Sequence, residues 1–102
     1  MFTIQKINNN LTHSYQMYSV IVMPKFRNNL LYYLKKEKIE ASVHFDPPLH
    51  KQKYLLKYGK NLKNTERLAK SIITLPVYPA LRQNEINRIL KVIKHWYKKT
   101  NK

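Results

Sequence analysis

Cysteine is absent from this 102-residue sequence, so disulfides and thiolate chemistry are excluded, and a zinc site would have to be built from histidine and carboxylates. Glycine occurs once, at Gly59, where it is placed to give a left-handed helix cap without steric cost. Acidic residues are scarce: five Asp and Glu face twenty Lys and Arg, for a formal net charge of +15. No stretch reaches the length of about 18 apolar residues that a membrane span requires. The opening Met-Phe-Thr-Ile-Gln-Lys has one basic residue and no sustained apolar run before Asn8, which predicts no signal peptide and a soluble, cytoplasmic protein. What is present is enough for one domain over residues 1–102. Such a domain buries roughly 60–65% of its unfolded surface, one small core without a chamber for a large cofactor.

The charge excess taken alone points to polyanions. Lys, Asn, Ile and Tyr are abundant together, however, which is the signature of AT-rich codons rather than of a ligand. The lysines are also dispersed. Lys35, Lys36 and Lys38 end one segment, Lys51, Lys53, Lys57, Lys60 and Lys63 dot another, and Lys98, Lys99 and Lys102 form the tail. A solvated helix face accounts for the two densest groups.

Along the chain, Tyr15 to Val22 is uncharged and rich in β-branched and aromatic residues, which predicts a strand buried on both faces. Phe26, Leu30, Leu31 and Leu34 have helical spacing, with Lys35 and Lys36 in the last turn, where cations suit the helix dipole. Ile39 to Phe45 reads as a second strand stopped by Asp46-Pro47-Pro48. Lys51 to Tyr58 reads as a short basic helix closed by Gly59. A further helix starts at Asn64 or Thr65, with Leu68, Ala69, Ile72 and Ile73 on one stripe, and Ile73 to Leu75 can finish as a third strand before Pro76. Ile86, Ile89, Leu90, Ile93 and Tyr97 mark a long terminal helix with Arg88, Lys91, Lys94 and Lys98 opposite. The expected fold is α+β: a small two- to three-stranded sheet, helices on one face, and a long C-terminal helix. The other, apolar side of Tyr15–Val22 is then left wet, the mark of a surface that packs on something else.

Three stretches carry a resemblance: His-Ser-Tyr-Gln-Met-Tyr-Ser-Val at 13–20, Ile-Glu-Ala-Ser-Val-His-Phe-Asp-Pro-Pro-Leu-His-Lys-Gln at 39–52, and Ala-Lys-Ser-Ile-Ile-Thr-Leu-Pro-Val-Tyr-Pro-Ala-Leu at 69–81. In this order and spacing the chain resembles, from about Thr12 to its end, the C-terminal small domain of the DegT/DnrJ/EryC1/StrS family of pyridoxal-phosphate-dependent sugar aminotransferases. The resemblance implies a fold type I aminotransferase small domain without its large domain. That absent domain supplies the Schiff-base lysine, the carboxylate on the pyridine nitrogen and the phosphate grip, and none of these maps here. No catalytic residue and no cofactor are therefore expected in this chain, and the partners implied are the missing large domain or a second subunit, with a nucleotide sugar as the family's substrate.

Carried over by motif, substrate contact falls on His44, Phe45 and His50, with Tyr15 nearby. An imidazole can bond a sugar hydroxyl or a diphosphate oxygen, and Pro47 and Pro48 would lower the ordering cost of the loop. Against this, His44 can equally cap a backbone carbonyl at a strand end and His50 can simply be exposed. As a metal trio, His13, His44 and His50 have spacings of 31 and 6, which match no ligand pattern. Two departures from the family pattern stand out. Lys38 takes the place of a helix-ending glycine, which predicts a left-handed lysine costing roughly 1 kcal/mol. Arg82 replaces the usual Thr or Ser three residues before Glu85, so the capping box is half missing. Two readings from other classes compete, a basic nucleic-acid-binding module and a protein-interaction domain.

Overall fold

Proline and the apolar stripe decide where the first helix of the chain begins and which way it faces. The computed structural model describes residues 2–102. Pro24 sits in the first turn of α1 (Pro24–Lys36), where its missing N–H costs nothing. Leu30 and Leu34 carry the buried stripe, and Lys35 and Lys36 close the last turn. The helix ends in a Schellman motif. The Lys38 N–H donates to the Lys35 carbonyl at 3.0 Å and the Ile39 N–H to the Leu34 carbonyl at 2.9 Å. Lys38 is left-handed at φ 57, as its place in the sequence predicts.

Three antiparallel strands, β1 (Phe2–Ile4), β2 (Tyr18–Val22) and β3 (Ile72–Leu75), lie in the order β1-β2-β3. Register pairs Phe2 with Val22 and Val20 with Ile73, which puts these side chains on one face. That face meets α1 and α3 (Gln83–Thr100) around a core of Val20, Val22, Leu30, Leu34, Ile39, Ile73 and Trp96. Trp96 is central: its ring meets the edges of Phe2 and Phe26, with centroids 6.0 and 6.2 Å away, and its Nε1–H donates to Asn29 Oδ1 at 2.6 Å. At the start of α3 the Glu85 carboxylate accepts from the Arg82 N–H at 2.8 Å. A guanidinium cannot accept in return, so only half of the capping box forms.

Several expectations are corrected. The strand expected at Tyr15–Val22 begins only at Tyr18, because Tyr15 turns into the left-handed region at φ 51. β2 is buried on one face, not both: Val20 and Val22 are buried while Ser19 and Ile21 are half-buried. The outer face is correspondingly mixed rather than apolar, carrying Thr3, Ser19, Ile21, Ile72 and Thr74. The strand expected at Ile39–Phe45 reduces to a single bridge, Ser42 to Thr74. The Ile39 N–H is taken by the helix cap and Phe45 is left-handed at φ 60, so pairing has no room to extend. The helix expected at Lys51–Tyr58 is two 3-10 turns, Leu49–Lys51 and Lys53–Tyr58, without a buried residue. Of its apolar residues Tyr54, Leu56 and Tyr58 are exposed and Leu55 is half-buried, so no stripe of it is seated on the core. Gly59 is not left-handed, since its φ is −67. Its glycine answers to a close approach, because a Cβ there would lie 2.7 Å from the His50 carbonyl oxygen. α2 (Lys63–Ala69) ends before Ile72 and Ile73, whose β-branched side chains go to β3.

The particle is flat, with extents of 47 × 39 × 22 Å and a radius of gyration of 15.5 Å, against about 13 Å for a compact domain of this length. Its accessible surface of 8541 Å² exceeds the about 6,100 Å² usual for its mass. Phe45, Leu49, Tyr54, Leu56 and Tyr58 are among the large apolar residues left exposed, Phe45 being 77% exposed.

Candidate functional site

The loop from His44 to Gln52 leaves the sheet edge at the Ser42–Thr74 bridge and is pinned at three points. Asp46 forms an ion pair with Arg27 of α1, which is only 6% exposed. The Gln52 side-chain amide donates to the Pro47 carbonyl at 2.8 Å. His50 Nε2 lies 3.0 Å from Glu66 Oε1 on α2, with Lys51 Nζ at 3.5 Å from the same oxygen. Because a carboxylate only accepts, His50 is the donor in that pair. This bond, joined by the Leu62 amide and Lys51, holds the Glu66 carboxyl below its usual range, and partial burial opposes the shift.

The pins present two groups outward. His44 is exposed, and its Nε2 lies 2.9 Å from the Ser42 hydroxyl, which leaves Nδ1 open to solvent. Phe45 holds a left-handed backbone, a conformation costing roughly 1 kcal/mol that persists only where its surroundings impose it. A bare phenyl ring in strained backbone is poorly explained by stability alone.

Of the residues singled out by the resemblance, His44 and Phe45 stand together at this tip. His50 faces inward, its side chain 12% exposed and occupied by Glu66. Tyr15 lies apart from the loop, its ring tilted 42° to that of His13 with centroids 4.4 Å apart and stacked on that of Tyr18 with centroids 6.2 Å apart. The two regions are linked across the sheet. Ser19 Oγ is 3.3 Å from Thr74 Oγ1, and Thr74 exchanges backbone hydrogen bonds of 3.0 and 2.9 Å with Ser42. Among the described residues no group of three or more His, Asp and Glu is arranged to hold a metal ion. No described helix is long and apolar enough to cross a membrane.

Sequence reasoning missed Arg27 and Glu66. Both left a trace. Arg27 stands at the i, i+3, i+7 positions of the buried stripe with Leu30 and Leu34, and Glu66 is the lone acid between Asp46 and Glu85.

Pyridoxal phosphate, the coenzyme the family implies, needs a desolvated lysine held at an oriented ring. All sixteen lysines of this chain are exposed, and the one aspartate is engaged with Arg27. The described residues do not form a seat for that group.

A model of the DegT/DnrJ/EryC1/StrS aminotransferase family matches residues 1–94. A dTDP-3-amino-3,6-dideoxy-alpha-D-galactopyranose transaminase of Aneurinibacillus thermoaerophilus is 25% identical over 77 residues, covering 74% of this chain and 21% of that protein. A pleiotropic regulatory protein of Geobacillus stearothermophilus is 28% identical over 89 residues, covering 84% of this chain and 23% of that protein. A solved structure from Bacillus cereus, described as a PLP-dependent aminotransferase, superposes with a TM-score of 0.79 at 24% identity, over 91% of this chain and 25% of that one. The chain therefore spans a quarter or less of each of these three proteins, with the fold of the solved one over that span, and it belongs to the DegT/DnrJ/EryC1/StrS aminotransferase family.

Proposed function

We propose that these residues are the C-terminal small domain of a pyridoxal-phosphate-dependent nucleotide-sugar aminotransferase of cell-surface polysaccharide synthesis, and that the coenzyme-bearing body is contributed from outside them. The body can belong to the same polypeptide or to a second subunit. The observation that carries this is the flatness of the particle: 8541 Å² of surface, roughly 2,400 Å² above the norm for its mass, with apolar rings standing free along residues 45–58. Surface of that kind is what an isolated domain avoids and a docked one keeps. The exposure of all sixteen lysines supports the further reading that the 102 residues alone do not transaminate.

In this reading His44 and Phe45 close over the substrate. The free Nδ1 of His44 bonds a sugar hydroxyl or a diphosphate oxygen, and Phe45 covers an apolar face of the sugar and excludes water. His50 acts indirectly, holding the far end of the loop onto α2 through Glu66. Tyr15 contributes from the opposite side of the sheet edge.

Two measurements test the proposal. Mixing the chain with pyridoxal phosphate should produce no aldimine absorbance at the edge of the visible, and its appearance would overturn the inactive reading. Supplying the chain to an aminotransferase body that lacks its own small domain should restore transamination of a nucleotide sugar. His44→Ala should then raise KM for the nucleotide sugar at least about tenfold with a smaller change in kcat. Restoration unaffected by that substitution would remove His44 from the site.

A further inference from the structure

The helix layer turns a cationic side to solvent, and two contacts fix its geometry. Arg88 of α3 donates to the Glu37 carbonyl at the end of α1 at 2.5 Å, and Trp96, further along α3, donates to Asn29, further back along α1, at 2.6 Å. The two helices therefore lie antiparallel and side by side. Their apolar stripes meet the same core, so their outer sides share one face.

On that face α1 shows Lys25, Tyr32 and Lys36, exposed at i, i+7 and i+11 and opposite the buried Leu30 and Leu34. α3 shows Lys91, Lys94 and Lys98, which with Asn87, Leu90 and His95 line one open hollow. The carboxylates of the chain lie elsewhere. Asp46 and Glu66 are held in ion pairs, Glu85 caps the start of α3, Glu37 is half-buried at the end of α1, and Glu40 lies past it. Among the described residues none of these lysines forms an ion pair.

The spacing on α3 is unfavourable by itself. Lys91 and Lys94 are three residues apart, Lys94 and Lys98 four, the separations at which like charges on a helix repel, and none of them has an acid three or four residues away. Lys98 gains from the helix dipole in the last turn, whereas Lys91 and Lys94 stand mid-helix without that benefit. Codon bias accounts for the number of lysines in the chain, not for a run of repelling ones without a counter-charge. An anionic surface laid against α3 turns the same repulsion into attraction.

We propose that this face seats the chain on an anionic phospholipid bilayer, with the lysine ammonium groups against lipid phosphates and the Tyr32 ring at headgroup level. A second copy of the chain carries the same net charge of +15 and is repelled. A linear polyanion follows one row of charge, but these lysines occupy two packed helices, whose axes lie roughly 8–10 Å apart, and so present a breadth of charge that suits a sheet of headgroups. Nucleic acid is best met by the forked arginine guanidinium, and Arg27 and Arg88 are engaged with Asp46 and with the Glu37 carbonyl. What the face offers is lysine, a point charge on a flexible stem, and Tyr32, 70% exposed between Lys25 and Lys36, an amphipathic ring of the kind enriched at membrane interfaces. Both apolar stripes are committed to the core, so attachment is electrostatic, reversible and screened by salt. The aminotransferase reading uses the loop at 44–52 and the rings along 45–58 and leaves this face free, so the inference goes beyond it.

The test is flotation of the 102-residue chain with vesicles of mixed phosphatidylglycerol and phosphatidylcholine, against vesicles of phosphatidylcholine alone. The chain should bind the anionic vesicles at low salt, leave them in about 1 M salt, where the Debye length is roughly 3 Å, and ignore the neutral ones. Each lysine near such a surface contributes about fivefold. Lys91→Gln, Lys94→Gln and Lys98→Gln together should therefore weaken binding about 100-fold, and Lys25→Gln with Lys36→Gln, an independent variant on α1, about 25-fold. Removing the same charge at Lys53, Lys57 and Lys60, exposed residues outside both helices, should cost less than about fivefold. Fluorescence of Trp96, buried and the only tryptophan, reports that each variant is folded. Equal losses from the two triple variants would show that net charge binds and this face does not, which overturns the inference. So would equal binding to neutral vesicles, or none to anionic ones at low salt. A short DNA duplex that strips the chain from the vesicles at matched phosphate, through the same α3 lysines, would assign the face to nucleic acid and refute the lipid partner.

Discussion

Replacing Asp46 by alanine should destabilise the chain more than replacing Arg27 by methionine, although the two side chains form one ion pair. The asymmetry follows from where each partner sits. The Arg27 side chain is 8% exposed and that of Asp46 is 29% exposed. Arg27 Nε is already buried without a hydrogen-bond partner among the described residues. Asp46→Ala therefore strands a buried guanidinium. Breaking a buried pair in this way costs about 3–5 kcal/mol when water is shut out. Water reaches the Asp46 side of this pair, so about 2–3 kcal/mol is expected. Arg27→Met keeps the aliphatic stem in place, removes the unpartnered Nε, and leaves a carboxylate that solvent can hydrate. Its cost should stay below about 1 kcal/mol. In a domain of this length 1 kcal/mol moves Tm by about 4–8 °C, so the two variants separate clearly in a melt or a urea titration. The double variant should resemble Arg27→Met, since the stranded charge is gone. An Arg27→Met variant less stable than Asp46→Ala would refute the argument, as would a double variant worse than either.

Two further outcomes follow from the backbone and from Glu66. Lys38→Gly should raise stability by up to about 1 kcal/mol, because the left-handed φ of 57 in the Schellman cap suits glycine, and a Tm unchanged or lowered would show that the lysine conformation is unstrained. Glu66 has its carboxyl depressed by His50, so it contributes stability that is complete above its ordinary value of 4.5 and is lost as pH falls through the lowered one. Glu66→Gln should accordingly melt lower than the parent near neutrality and converge with it in strong acid. A gap that persists unchanged below that range would assign the loss to shape, not charge.

What the sequence disclosed and what it withheld divide along a physical line. Periodicity located α1 and α3, because burial of a stripe leaves a pattern in one dimension, whereas the uncharged run at Tyr15–Val22 located β2 but pointed to burial on both faces instead of one. The left-handed Lys38 was legible for a similar reason: the helix had to stop, and the residue at its end had to turn. Segments held by single pairwise contacts left no such pattern. Nothing periodic announces that Ile39 would spend its N–H on a helix cap, that Ser42 would make one bridge and no strand, or that Phe2 would reach Trp96 and so order β1. Nor does it announce that the loop bearing His44 and Phe45 would be fastened by Arg27, roughly 65 Å of chain before Asp46 if fully extended and adjacent to it in the fold. Each of these residues appears in sequence as an exception to its surroundings: a charge within an apolar stripe, a lone aspartate before two prolines, a lone glutamate among lysines. Burying any one of them singly would be costly, and the cost falls only when the exceptions meet, Arg27 with Asp46 and His50 with Glu66. The loop that the nucleotide-sugar reading needs is therefore held by the very residues that periodicity treats as noise, and its geometry depends on pairings that only the folded chain brings together.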